Sequence, residues 1–117
     1  MTARPNIDMS LKQWVAVCPL EDIVPDSGVC ALVGGQQVAV FRVSDDRVYA
    51  LSNYDPFSKA NVLSRGITGD IKGELVVASP VYKQHFILAS GQCIEDEAVK
   101  VASYAARVSN GIVEVEA

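Results

Sequence analysis

Gly34 and Gly35 stand between two apolar runs in VCALVGGQQVAVFRV (29–43), and that arrangement leaves few folds open. A glycine pair supplies the positive φ that a two-residue hairpin turn demands, so the stretch reads as two antiparallel strands. The turn SDD (44–46) and the run RVYALSN (47–53) extend it to a three-strand meander. QWVAVC (13–18) reads as an earlier strand, and LVVAS (75–79) and HFILAS (85–90) as two later ones. YAARVSNGIVEVEA (104–117) reads as a hairpin on Asn110–Gly111. In its last strand Ile112, Glu114 and Glu116 alternate with Val113 and Val115, the period of a strand with one wet face.

Helix signals are few. PLEDI (19–23) allows one turn. SKANVLSRG (58–66) allows another, with Ser58 as N-cap and Gly66 at its end. GITGDIKG (66–73) has three glycines and no helical pattern, and reads as a mobile connection. The sum is roughly eight short strands with long loops at 53–74 and 79–84, which predicts an all-β antiparallel sandwich or barrel. Loops that long persist in a compact domain when they have a function.

A chain of 117 residues suits one domain. MTARPNIDMS lacks the apolar stretch of a secretory signal, so residues 1–11 read as a flexible N-terminal tail ahead of a single domain at 12–117. The formal net charge of -4, with scattered basic residues, argues against nucleic acid. No apolar run approaches the ~20 residues that span a bilayer. Cys18, Cys30 and Cys93 form no zinc-type spacing and read as structural thiols of a reducing cytosol.

The two long loops carry a family resemblance. NYDPFSKANVLSRG (53–66) resembles the first cluster-binding loop of Rieske iron–sulfur domains, which runs Asn-x-Cys-Pro-His and ends in Gly. SPVYKQHFILASG (79–91) resembles the second, which runs Cys-Pro-x-His into a Phe-containing strand and a Gly turn. The frame is kept at Asn53, Pro56, Gly66, Pro80, Phe86 and Gly91. At the four ligand positions stand Asp55, Phe57, Ser79 and Tyr82. A Rieske centre takes two thiolates on one iron and two imidazoles on the other. The resemblance therefore implies the Rieske-like fold, with cluster-type loops at 53–66 and 79–91, and the ligand chemistry implies no cluster and no metal in this chain.

Within that superfamily, the stretches WVAVCPLEDI, GVCALVGGQQVAVFRV, VYALSNYDPFSKANVLSRGITGD and VASPVYKQHFILASGQCIED resemble the small subunit of assimilatory NAD(P)H-dependent nitrite reductases. This resemblance implies a cytoplasmic, non-catalytic accessory subunit of an oxidoreductase in nitrate assimilation. Its partner would be the large subunit, which carries FAD, an iron–sulfur cluster and sirohaem and reduces nitrite to ammonia. The alternative is a free-standing electron-transfer or ligand-binding domain of Rieske type with a non-standard or absent cofactor.

By position in such loops, Asp55 and Ser79 face inward and Phe57 and Tyr82 outward. Asp55 is then expected to accept hydrogen bonds from Ser79 or from backbone N–H groups, while Phe57 and Tyr82 fill the volume of a cluster. An ordinary Asx turn at Asp55 and plain core packing of Phe57 are the simpler alternatives. His85 is the sole histidine, with no acid or thiol visibly paired to it, and suits a surface or hydrogen-bonded role. Tyr82, Lys83, Gln84 and His85 together read as a polar-aromatic tip for docking a partner. Glu95, Asp96 and Glu97 read as a solvated acidic turn.

Overall fold

The computed structural model describes residues 13–117. The expected tail at 1–11 lies outside the described residues. Twelve short strands run as β1 (Trp14–Pro19), β2 (Ser27–Val33), β3 (Gln36–Arg42), β4 (Val48–Ser52), β5 (Tyr54–Asp55), β6 (Ala60–Asn61), β7 (Ile67–Ile71), β8 (Glu74–Ala78), β9 (His85–Ile87), β10 (Ser103–Tyr104), β11 (Ala106–Ser109) and β12 (Ile112–Glu116). Short 3₁₀ turns occupy Leu20–Asp22, Ser44–Asp46 and Leu63–Arg65. Every pairing is antiparallel. No helix among the described residues is long and apolar enough to cross a membrane.

The strands form a central sheet in the order β10-β4-β3-β2, flanked by β1-β12-β11 and by β7-β8-β9. The central sheet is apolar on both faces. Val38, Val40, Val48 and Ala50 join Val113 and Val115 of β12 in one core. Ala39, Phe41 and Leu51 join Val77 of β8, Phe86 of β9 and Leu63 in the other. That double burial is why β3 reads VAVF without alternation, whereas β12 keeps its strict period. Each large side chain removed from water here, Phe41 and Phe86 among them, contributes about 1.5–3 kcal/mol.

The diglycine turn forms as expected, with Gly34 and Gly35 at φ 57° and 80°. Asn110 and Gly111 do the same at 52° and 78°. Residues 66–73 are not a mobile connection. They hold β7, which pairs residue for residue with β8 across a turn at Lys72 and Gly73 (φ 52° and 87°). The glycines masked a strand whose partner supplies the stability that its own composition lacks. Nor does Ser58 cap a helix: the one helical turn of that segment is Leu63–Arg65, without a side-chain cap, and ends at Gly66. Ser58 has been drawn elsewhere, as shown below. All three cysteines are free. Cys93 is buried, but Cys30 is exposed and departs from the expectation of a structural thiol.

Gly66 marks where the first loop returns against β8. A Cβ there would lie 2.3 Å from the Ala78 carbonyl oxygen and 2.6 Å from Val77 Cγ2, whereas one at Gly69 would meet nothing within 4 Å. Gly66→Ala is therefore expected to lower stability by about 1–3 kcal/mol through overpacking, and Gly69→Ala to stay within about 0.5 kcal/mol of the parent. Urea midpoints of the two variants check this.

Candidate functional site

The first loop is fastened at its base by Asn53, which is 1% exposed. Its side-chain Oδ1 accepts the Ser64 N–H at 2.7 Å, and its backbone carbonyl accepts the Leu63 N–H at 3.1 Å. Its own N–H donates to the Gln37 carbonyl at 3.0 Å, and Nδ2 donates to Gln37 Oε1 at 3.2 Å and to Cys30 Sγ at 3.5 Å. One asparagine thus binds both ends of the loop to the central sheet.

Beyond it the two loops meet. Asp55 and Ser79 are fully buried, and the Ser79 hydroxyl donates to Asp55 Oδ2 at 2.5 Å. Ser58 Oγ donates to the same oxygen at 2.9 Å, and the Phe57 N–H donates to Asp55 Oδ1 at 2.9 Å. Burial pushes the Asp55 carboxyl up. The hydrogen bonds from Ser79, Phe57 and Ser58 together outweigh it and hold the carboxyl below its ordinary value. Both readings of Asp55, the Asx turn and the cross-loop acceptor, hold at once.

The loops are built alike. DPFSK (55–59) and SPVYK (79–83) each begin with an inward polar residue and a proline. In each, the first side chain accepts the N–H two residues on: Phe57 to Asp55, and Val81 to Ser79 Oγ at 3.3 Å. In each, the lysine N–H closes back on the first carbonyl, Lys59 to Asp55 at 2.7 Å and Lys83 to Ser79 at 3.2 Å. Both lysines take left-handed backbone angles, φ 58° and 69°. The pattern x-Pro-x-x-Lys is visible in the sequence and is the signal that points to Lys59 alongside Lys83, whereas Ser58, expected as a helix N-cap, donates to Asp55 instead.

Phe57 and Tyr82 do not share a fate. Phe57 turns inward against the core, its ring centroid 6.2 Å from that of Phe86. Tyr82 is 61% exposed and fills no interior volume. It stands with Pro80, Val81 and Lys83 on the exposed tip, because the Ser79 hydrogen bonds turn the following residues outward. Gln84 is half-buried, its carbonyl accepting the Ser79 N–H at 2.9 Å while its Oε1 has no partner among the described residues. His85 does have an acidic partner. Its Nδ1 lies 2.5 Å from Glu95 Oε2, and its backbone N–H donates to Glu95 Oε1 at 2.7 Å. Burial pushes the Glu95 carboxyl up, and the bonds from His85 outweigh it and hold the carboxyl low. Glu95 is therefore a structural brace rather than part of a merely solvated turn. Their separation by ten positions hid the pair.

This donor set does not suit a two-iron cluster. Phe57 has no donor atom, Ser79 and Tyr82 offer hydroxyl oxygens where a cluster takes thiolate and imidazole, and both Asp55 oxygens are engaged by Ser79, Ser58 and Phe57. What the arrangement does is join two loops and present their tips.

The sign of the Asp55 contribution follows from its lowered native value. It is complete above the ordinary aspartate value of about 3.9 and is lost as pH falls from there through the native value, because the unfolded chain takes up the proton first. Chemical denaturation from pH 7 to 2 is expected to show this loss in the parent relative to Asp55→Asn. At pH 7, Asp55→Ala and Ser79→Ala are expected to cost about 2–4 and 1–3 kcal/mol, since each strands buried polar partners.

Residues 13–116 match the Rieske-like [2Fe-2S] domain family. The chain is 52% identical over 106 residues to the nitrite reductase (NADH) small subunit of Salmonella typhimurium, covering 90% of this chain and 98% of that one. The solution structure of the nitrite reductase [NAD(P)H] small subunit from Erwinia carotovora is 54% identical, covers 92% of this chain and 82% of its own, and superposes with a TM-score of 0.75. A nitrite reductase [NAD(P)H] large subunit from Klebsiella oxytoca is 43% identical over 100 residues, which are 86% of this chain and only 10% of that protein. With the loop frame, the sheet order and these likenesses in agreement, the chain belongs to the nitrite reductase small subunits, a branch of the Rieske-like domain family.

Proposed function

We propose that this chain is the accessory, non-catalytic subunit of a cytoplasmic NAD(P)H-dependent nitrite reductase. In this reading the chain holds no iron–sulfur cluster, and its two loops dock the large subunit. The large subunit performs the six-electron reduction of nitrite to ammonia with its own flavin, iron–sulfur and sirohaem groups.

The observation that carries the reading is the buried bond from Ser79 to Asp55. It joins the two positions at which the Rieske frame has its cysteines, so protein atoms hold the loops where a metal centre would. A chain closed in this way offers electrons no stopping point and substrate no Lewis acid, but it does offer a firm surface. The Klebsiella protein supports the partnership, because a stretch like this chain lies within a large subunit there. Covalent linkage replaces an association between separate chains by a high effective concentration, which is useful when two parts work in contact.

Coexpression with a large subunit checks the reading. The expected result is co-purification and a rate of nitrite turnover that drops when this chain is omitted. Equal turnover with no association would overturn the accessory role. For the cofactor, the isolated chain is incubated anaerobically with ferrous iron and sulfide, then desalted. It is expected to remain colourless, and a retained visible spectrum would overturn the cluster-free reading.

A further inference from the structure

We infer that the paired loop tips form an electropositive docking surface that selects an acidic patch on the protein partner, with Lys59 and Lys83 as its two cations and Tyr82 as its aromatic anchor. This rests on the accessory reading above and adds the chemistry of the contact.

Charge is distributed unevenly in this molecule. The whole chain carries a formal net charge of -4. Yet the exposed ionic side chains of residues 54–66 and 79–84 are Lys59, Arg65 and Lys83, and the single carboxylate there, Asp55, is fully buried. The described ion pairs join Arg42 to Asp46, Arg47 to Asp45, Arg107 to Glu114 and His85 to Glu95. None of them neutralises either tip lysine. An acidic body with a basic tip is oriented by an acidic patch and turned away by a basic one.

The lysines are also placed, not merely present. Each occupies the left-handed position that closes its loop's turn on Asp55 or Ser79. A non-glycine residue pays conformational energy to sit there. At both equivalent positions the chain has lysine where glycine would relieve that strain. The Ser79–Asp55 bond then fixes the two turns relative to one another. On the same two loops Tyr82, Val81 and Tyr54 are 61%, 47% and 42% exposed, apolar surface of the kind found at the centre of a contact. A protein surface suits this tip better than a small anion. The cavities of about 320 and 310 Å³ lie elsewhere, beside Tyr49 and Arg107 and between β1 and β2.

The test uses the full chain titrated against the large subunit across a range of salt concentrations. Lys59→Glu and Lys83→Glu are each expected to weaken association about three- to tenfold at low salt and to flatten its salt dependence. Tyr82→Ala is expected to weaken it at all salt concentrations. Lys72→Glu is the control: it makes the same charge change, also at a left-handed position (φ 52°), but at the far end of the β7–β8 hairpin, and is expected to leave association near the parent value. Circular dichroism and urea midpoints establish that each variant is folded, and Lys59→Gly with Lys83→Gly removes the charges without backbone strain if the reversals are not. Unchanged affinity in the lysine variants, tighter binding on reversal, or an equal loss with Lys72→Glu would overturn the inference and leave the accessory role standing. No association of the parent chain under any condition would overturn both.

Discussion

The hydrogen bond from Ser79 to Asp55 joins segments that belong to different sheets. Asp55 ends β5, which follows directly from the central sheet, and Ser79 follows β8 of an outer one. Without a link, two proline-led turns at the ends of separate sheets would have independent motions. A buried carboxylate is an unfavourable choice of link unless both its oxygens are supplied with donors, because taking the charge out of water costs several kcal/mol. Here four lone-pair directions face three donors, all from within the two loops. The desolvation cost is thereby turned into specificity: displacing one loop against the other takes the Ser79 donor from a buried charge and leaves it only the two donors of its own loop.

That closure explains why the loops remain so alike although their first residues differ. Asp and Ser can both accept the N–H two residues on, so either supports the same turn. Only one of them can donate to the other, however, and the Ser79 hydroxyl does both tasks, accepting from Val81 and donating to Asp55. The result is a local twofold likeness with an asymmetric bond between its halves. The lysines closing the turns inherit their placement from this bond, and so does the exposure of Tyr82.

Much of this was legible in the sequence. Turn residues located the hairpins, and the loop frame at Asn53, Pro56, Pro80 and Gly91 located the two loops that meet at Asp55 and Ser79, because glycine, proline and asparagine report local backbone geometry. What was not legible depended on partners distant in the chain. β7 was hidden by its glycines and exists through β8. His85 and Glu95 meet only after the strands fold. Phe57 and Tyr82 looked equivalent by motif, but the turn at Ser79 sends one side chain out while Phe86 draws the other in. Side-chain direction at a loop tip is set by such contacts, which a motif does not record.

The double burial of β3 has a consequence for how the chain finds its alignment. In most strands a slip of one residue exposes the apolar side, so hydrophobicity itself proofreads the pairing. In β3 such a slip would merely exchange Val38 and Val40 for Ala39 and Phe41, one greasy set for another. Solvent cannot tell these frames apart. The discrimination falls to shape, a phenyl ring that fits one chamber and not the other, and to the rigid count of the Gly34–Gly35 turn that meters β3 against β2.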